Sequence, residues 1–209
     1  MDGLVSNFAL IAGVAAGSGH DASVVLLSGF AGLAAGAFSM AAGEYISVAS
    51  QSELAEAEIQ VERRELLRSP EAEQEELAQL YEARGLSPEL AAEVARQLSR
   101  DPEEALEIHA REELGVDPHD LPSPTLAAGS SFVSFAAGAL LPVIPYLLGA
   151  VSLWPAAVIS AVGLFGAGAL VSKVTARSWW FSGLRQLALG GAAAALTFGL
   201  GSLLGATGI

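Results

Sequence analysis

The sequence predicts an all-α membrane protein of about five transmembrane helices, with a cytoplasmic helical bundle inserted between the second and third spans. Three observations carry this. Apolar side chains make up 52% of the 209 residues and mean hydropathy is +0.49, which leaves too little polar material for the exterior of a water-soluble domain. Charge is segregated: residues 51–123 hold 20 of the 23 acidic side chains and 7 of the 10 basic ones, and so account for the whole net charge of −13. The rest of the chain falls into five apolar runs, each near the roughly 20 residues needed to cross about 30 Å of hydrocarbon. The predicted organisation is 1–50 for spans one and two, 51–123 for the acidic domain and 124–209 for spans three to five.

The first span is placed at residues 4–19. A signal peptide is disfavoured because Asp2 stands where a basic residue is expected. So short a flank before the span points to a trimmed N-terminus. Ser18, Gly19, His20 and Asp21 make a polar turn into the second span at 22–50, which carries one ionisable residue, Glu44. From Gln51 the helix is expected to continue as a charged rod to Arg68, because no Pro or Gly interrupts it. Ser69-Pro70, Ser87-Pro88 and Asp101-Pro102 each pair a capping residue with proline at the first helical position, so three short helices should start there. Gly85 and Gly115 should end the first and last of them. Leu66, Leu67, Leu77, Leu80, Leu90, Val94, Leu98, Leu106 and Ile108 are the expected core of this bundle.

Three more spans are placed at 125–150, 153–175 and 179–205. Pro142 and Pro145 should kink the third, and Trp154, Trp179 and Trp180 lie at span ends, where indoles favour the interface. Lys173, Arg177 and Arg185 place the connection between spans four and five in the cytoplasm, and the acidic domain on the same side. Gly29, Gly32, Gly36, Gly163, Gly166 and Gly168 suit close helix approach, either within one subunit or at a dimer seam.

Several chemistries are excluded by residue type. The acidic balance repels nucleic acid. The absence of cysteine removes disulfides and thiolate sites, so a metal would need oxygen, imidazole or thioether ligands. No phosphate-cradling G-x-x-x-x-G-K run is present, the residue three before His109 is Leu106 rather than a di-iron Glu, and no nucleophilic triad is suggested, so no enzyme activity is expected.

Two sets of residues remain. In the membrane, Met40 and Glu44 share a face of the second span, and Asp2 and Asn7 sit on the neighbouring first span. Carboxylate, amide and thioether together suit a borderline divalent ion. Taken alone, Met40 reads first as core packing, and Glu44 equally as a solvated residue at the membrane edge. In the acidic segment, Glu62 and Glu65, Glu73 and Glu76, and His109 and Glu113 are pairs at i, i+3 or i, i+4, each pair on one helix face. Like charges so placed repel unless a cation bridges them, although Glu-rich helices are also common as plain soluble surfaces.

With these residues in view, the chain resembles the vacuolar iron transporter family, as a bacterial-type member. The resemblance rests on Asp2-Gly3-Leu4-Val5-Ser6-Asn7, on Ala35-Gly36-Ala37-Phe38-Ser39-Met40-Ala41-Ala42-Gly43-Glu44-Tyr45, and on the Glu-rich insert between spans two and three. It implies a homodimer with five spans per subunit, a path between subunits, and movement of Fe(II), with Mn(II) second, out of the cytoplasm in exchange for protons. Zn(II) and Co(II) are further candidates as substrate, and no permanently bound cofactor is expected. Asp2 and Met40 correspond to the family's pore ligands, and Glu62, Glu65, Glu73, Glu76 and Glu113 to its cytoplasmic metal-binding glutamates. The chain departs from the family in having Gly32 where some members carry glutamate, and His109-Ala110 where a methionine pair is usual. It also begins at the pore aspartate, without a lead-in segment. A bacterial plasma membrane is the expected location, or a vacuolar membrane in a eukaryote. The alternative from another class is a non-transporting membrane protein whose acidic bundle buffers or senses metal.

Overall fold

The computed structural model describes residues 1–207, and every regular element among them is helical. Helix α1 spans Asp2–Gly17. The chain then turns through Gly19 and His20, both with left-handed φ (64° and 67°), a conformation that costs glycine nothing and a bulkier residue about 1 kcal/mol. Asp21 caps the next helix by accepting from the Ser23 amide at 2.9 Å. That helix, α2, runs unbroken over Ala22–Arg68, 47 residues or about 70 Å. This is more than twice the length the hydrocarbon requires, so its charged half lies beyond the apolar window. The chain divides into two units, residues 1–44 with 126–209, and residues 45–125.

The first unit contains α1, the apolar half of α2, α6 (Pro124–Leu140), α7 (Ile144–Leu147), α8 (Trp154–Val171) and α9 (Trp179–Ala206). Helices α2, α8 and α9 are long and apolar enough to cross a membrane; α1 and α6 are apolar but shorter, at 16 and 17 residues. The third expected span is not one kinked helix. It stops at Leu140, turns through Pro142, forms the single turn α7 and ends at Gly149 (φ 90°), because two prolines within four residues remove two backbone donors. Large apolar side chains such as Leu27, Phe38, Val158, Leu189 and Leu200 point outward, as hydrocarbon permits and water does not. The interior is built from Phe8, Ile11, Ala15, Val25, Val143 and Tyr146.

Helix α1 packs along α9 with almost no side chain between them. A Cβ on Gly201 would collide with the Gly13 carbonyl oxygen, and one on Gly205 would lie 2.6 Å from the Gly17 carbonyl oxygen. The Thr197 hydroxyl donates to the Ala9 carbonyl at 2.6 Å across the same seam. The contact is backbone against backbone, so no side chain can yield. Gly201→Ala is therefore expected to destabilise the fold by roughly 3 kcal/mol. Gly199→Ala, whose Cβ would meet nothing within 4 Å, serves as the control. Thermal unfolding in one detergent compares them, and equal midpoints would disprove the packing argument.

The second unit holds the charged half of α2, then α3 (Pro70–Ala83), α4 (Pro88–Leu98), α5 (Pro102–His109) and a π-helical turn, Ala110–Leu114, closed by Gly115 with φ 69°. Ser87 and Asp101 cap as expected, accepting from Leu90 at 3.4 Å and from Glu103 at 2.9 Å. Ser69 makes no side-chain cap bond. The core also departs from expectation. Leu77 and Leu106 are buried, but Leu67 and Leu90 are exposed, and Ala78, Ala91, Ala95, Ala105 and Ala110 fill the space instead. Short helices that meet through alanine approach too closely to admit every leucine on their apolar faces.

Candidate metal-binding sites

Four elements of the second unit converge on one buried imidazole. Glu62 comes from α2, Glu73 from the first turn of α3, His109 from the end of α5 and Glu113 from the π turn. His109 is fully buried, and its Nδ1 lies 3.0 Å from a Glu62 oxygen and 2.8 Å from a Glu113 oxygen. One proton on Nδ1 cannot serve both carboxylates, and neither contact is an aligned hydrogen bond. Both ring nitrogens and one oxygen of each glutamate are buried without a hydrogen-bond partner. Separations near 3 Å are what ligand atoms show when they share one ion at bond lengths of about 2.1 Å. The three ligand atoms fall within 4.8 Å of one another.

The electrostatics point the same way. Burial, then the Glu113 charge, pushes the Glu62 carboxyl up to about 7, while His109 pulls the other way. Burial, then the Glu76, Glu73 and Glu65 charges, pushes Glu113 up to about 7 as well. Glu73 is also raised, by burial first and then by Glu76. Four of the unit's seven arginines pair elsewhere: Arg63 with Glu103, Arg84 with Glu112, Arg96 with Glu93, and Arg111 with Glu107 and Asp117. The cluster therefore carries anionic charge that none of these arginine pairs neutralises. All six residues anticipated here fall in one electrostatic neighbourhood, but unequally. Glu62, Glu73, His109 and Glu113 are withdrawn from solvent, and Glu65 and Glu76 stay exposed at the rim.

The first unit contains a second constellation. A cavity of about 290 Å³ is lined by Asp2, Ser6, Asn7, Gly32, Met40 and Phe135, among others. Asn7 is 2% exposed, and Asp2 and Met40 open onto solvent in the single chain. Glu44 does not belong to this group: it is exposed on α2 and does not line the cavity. Ser6 and Ser39 also line it and were not anticipated, although Ser6 lies one turn after Asp2 and donates to its carbonyl at 2.8 Å. The π turn that brings Glu113 back to His109 has no signal in the sequence.

Comparison with known proteins identifies the family of the chain. The model of the VIT family matches residues 1–202. A vacuolar iron transporter of Acanthamoeba castellanii is 42% identical over 86% of this chain and 69% of its own length. Vacuolar iron transporter 2 of rice (Oryza sativa subsp. japonica) is 29% identical over 95% of this chain and 82% of its own. Vacuolar iron transporter homolog 1 of the same plant is 34% identical over 100% of this chain and 72% of its own. The match runs from Asp2 through the acidic insert into α9, and the chain belongs to the VIT family, the family of the vacuolar iron transporters.

Proposed function

We propose that this chain transports a divalent metal ion, Fe(II) first and Mn(II) second, from the cytoplasm across the membrane in exchange for protons. The observation that carries the reading is the convergence of Glu62, His109 and Glu113 on one point without hydrogen bonds between them. The transport function of the named relatives and the cavity at Asp2 and Met40 support it.

The acidic unit faces the cytoplasm and concentrates cations by its net negative field. A captured ion is held by two carboxylates and an imidazole, then passes to the membrane cavity. There Asp2 and Met40 replace part of its hydration shell with one hard and one soft ligand. Protonation of a pore carboxylate loosens that hold and couples the two gradients. Two copies of the chain enclose the path, which accounts for a Met40 side chain left partly open in one. The host membrane is a bacterial plasma membrane, or a vacuolar membrane in a eukaryote.

The test is uptake of Fe(II) and Mn(II) into proteoliposomes under an imposed pH gradient. Asp2→Ala and Met40→Ala are each expected to lower flux at least about tenfold. Unchanged flux in both removes them from the path. One observation favours a second reading: the Glu62, His109 and Glu113 cluster lies wholly within the acidic unit, so a metal buffer or sensor could use it without transport. That reading predicts metal binding by purified protein whose vesicles carry no flux.

A further inference from the structure

One oxygen in the membrane cavity has its direction fixed by the fold. Asn7 is buried, and its amide nitrogen donates to the Gly29 carbonyl of α2 at 3.1 Å and to the Ala139 carbonyl of α6 at 2.7 Å. Both partners only accept, so the amide can be oriented one way alone, with both N–H groups used. Oδ1 is thereby turned away from those carbonyls, and it is buried with no hydrogen-bond partner. Leaving such an acceptor unsatisfied is destabilising unless a ligand occupies it. The oxygen packs closely against Gly32: a Cβ there would lie 2.6 Å from Oδ1 and 2.5 Å from the Leu10 Cδ2 atom, and would collide with both. Asn7 and Gly32 line the same cavity as Asp2 and Met40.

We propose that Asn7 Oδ1 is a direct, rigid ligand of the transported divalent cation in the cavity that Asn7 lines with Asp2 and Met40; this rests on the transport reading above. A clamp joining α1 to α2 and α6 would need only the two donors of Asn7. It would not need an orphaned oxygen. The amide supplies a hard, neutral oxygen. Beside the Asp2 carboxylate and the Met40 thioether, it strengthens the hold on a dehydrated divalent ion without adding charge that would retain it. Because its two donors are anchored, the oxygen is held in place for the ion, and little ordering is required on binding.

The experiment uses full-length protein in lipid nanodiscs carrying His109→Leu and Glu113→Gln, which silence the acidic cluster, with Mn(II) as the probe and its free EPR signal as the readout. This parent is expected to bind Mn(II), and Gly32→Ala and Asn7→Leu are each expected to weaken binding by about tenfold or more. Gly32→Ala is informative because it removes no polar group, while its Cβ would press on Oδ1 and on the Leu10 side chain. Mn(II) affinity within about twofold of the parent in Gly32→Ala, or no binding by the parent, overturns the assignment. Wild-type flux in proteoliposomes is measured alongside. Weakened binding in the variants with no wild-type flux keeps Asn7 as a ligand and removes the transport reading. Flux with unaltered binding in the variants does the reverse.

Discussion

Replacing His109 by leucine is expected to weaken Mn(II) and Fe(II) binding by the acidic unit on the order of a hundredfold, while leaving the metal-free fold at least as stable as before. The two effects have one cause. His109 is fully buried, and neither ring nitrogen has a hydrogen-bond partner in its shell of carboxylates. In the metal-free protein it contributes an unsatisfied polar group, and replacing such a group by an apolar one of similar volume is near neutral or stabilising. In the metal-bound protein it is one of three ligands, and two carboxylates remaining at the same point cannot supply its donor. Isothermal titration of the full chain gives the affinity, and thermal unfolding with and without metal gives the stability. Wild-type protein should melt higher with metal, by an amount that grows with its concentration, and the rise should be smaller in His109→Leu. A leucine variant that binds Mn(II) as tightly as wild type would end the metal-site reading. One that merely unfolds would show that His109 holds the bundle together.

Much of the fold was legible because it follows from local chemistry. Three cap-plus-proline pairs start helices at Pro70, Pro88 and Pro102, and the rod continues to Arg68 for want of any breaker. Hydropathy found the apolar helices, but it could not show that α6 ends at Leu140, since how far two prolines disrupt a helix depends on which donors reach the freed carbonyls. The choice of alanine over Leu67 and Leu90 in the acidic core is likewise set by how closely helices approach, which no periodicity records. For the site, i, i+3 and i, i+4 spacing shows which carboxylates share a helix face. It cannot show that Glu62 and Glu73 are withdrawn while Glu65 and Glu76 stay wet, because other helices provide the cover. Glu44 fails for the same reason, standing on the right helix but away from the cavity. The paired roles of Asn7 and Gly32 lie in two helices, 25 residues apart in the sequence, and only packing joins them.

Acidification is expected to release metal from the acidic unit and, in its absence, to stabilise that unit. Glu62 and Glu113 both sit at about 7 in the fold against an ordinary 4.5, raised first by burial and then by neighbouring carboxylates. They titrate as a coupled group, so the observable is macroscopic. Between about 4.5 and 7 the folded state binds more protons than the unfolded chain. Metal-free stability is therefore greatest at the acid end, falls as pH rises through 7 and levels off above it. Metal reverses the sign, because the ion requires both carboxylates ionised. The carboxylate contribution to the logarithm of Kd should rise by up to about two per pH unit below pH 6 and flatten above pH 8. Melting of the full chain at pH 5.5 and 8, with a chelator and with saturating Mn(II), checks both directions. Glu113→Gln should flatten the chelator series, since a neutral amide has no charge to bury. Parallel shifts with chelator and with metal would mean that the glutamates are not the titrating groups. Opposite shifts would tie the proton and the ion to one shared set of oxygens, so that a drop in pH suffices to discharge the cargo.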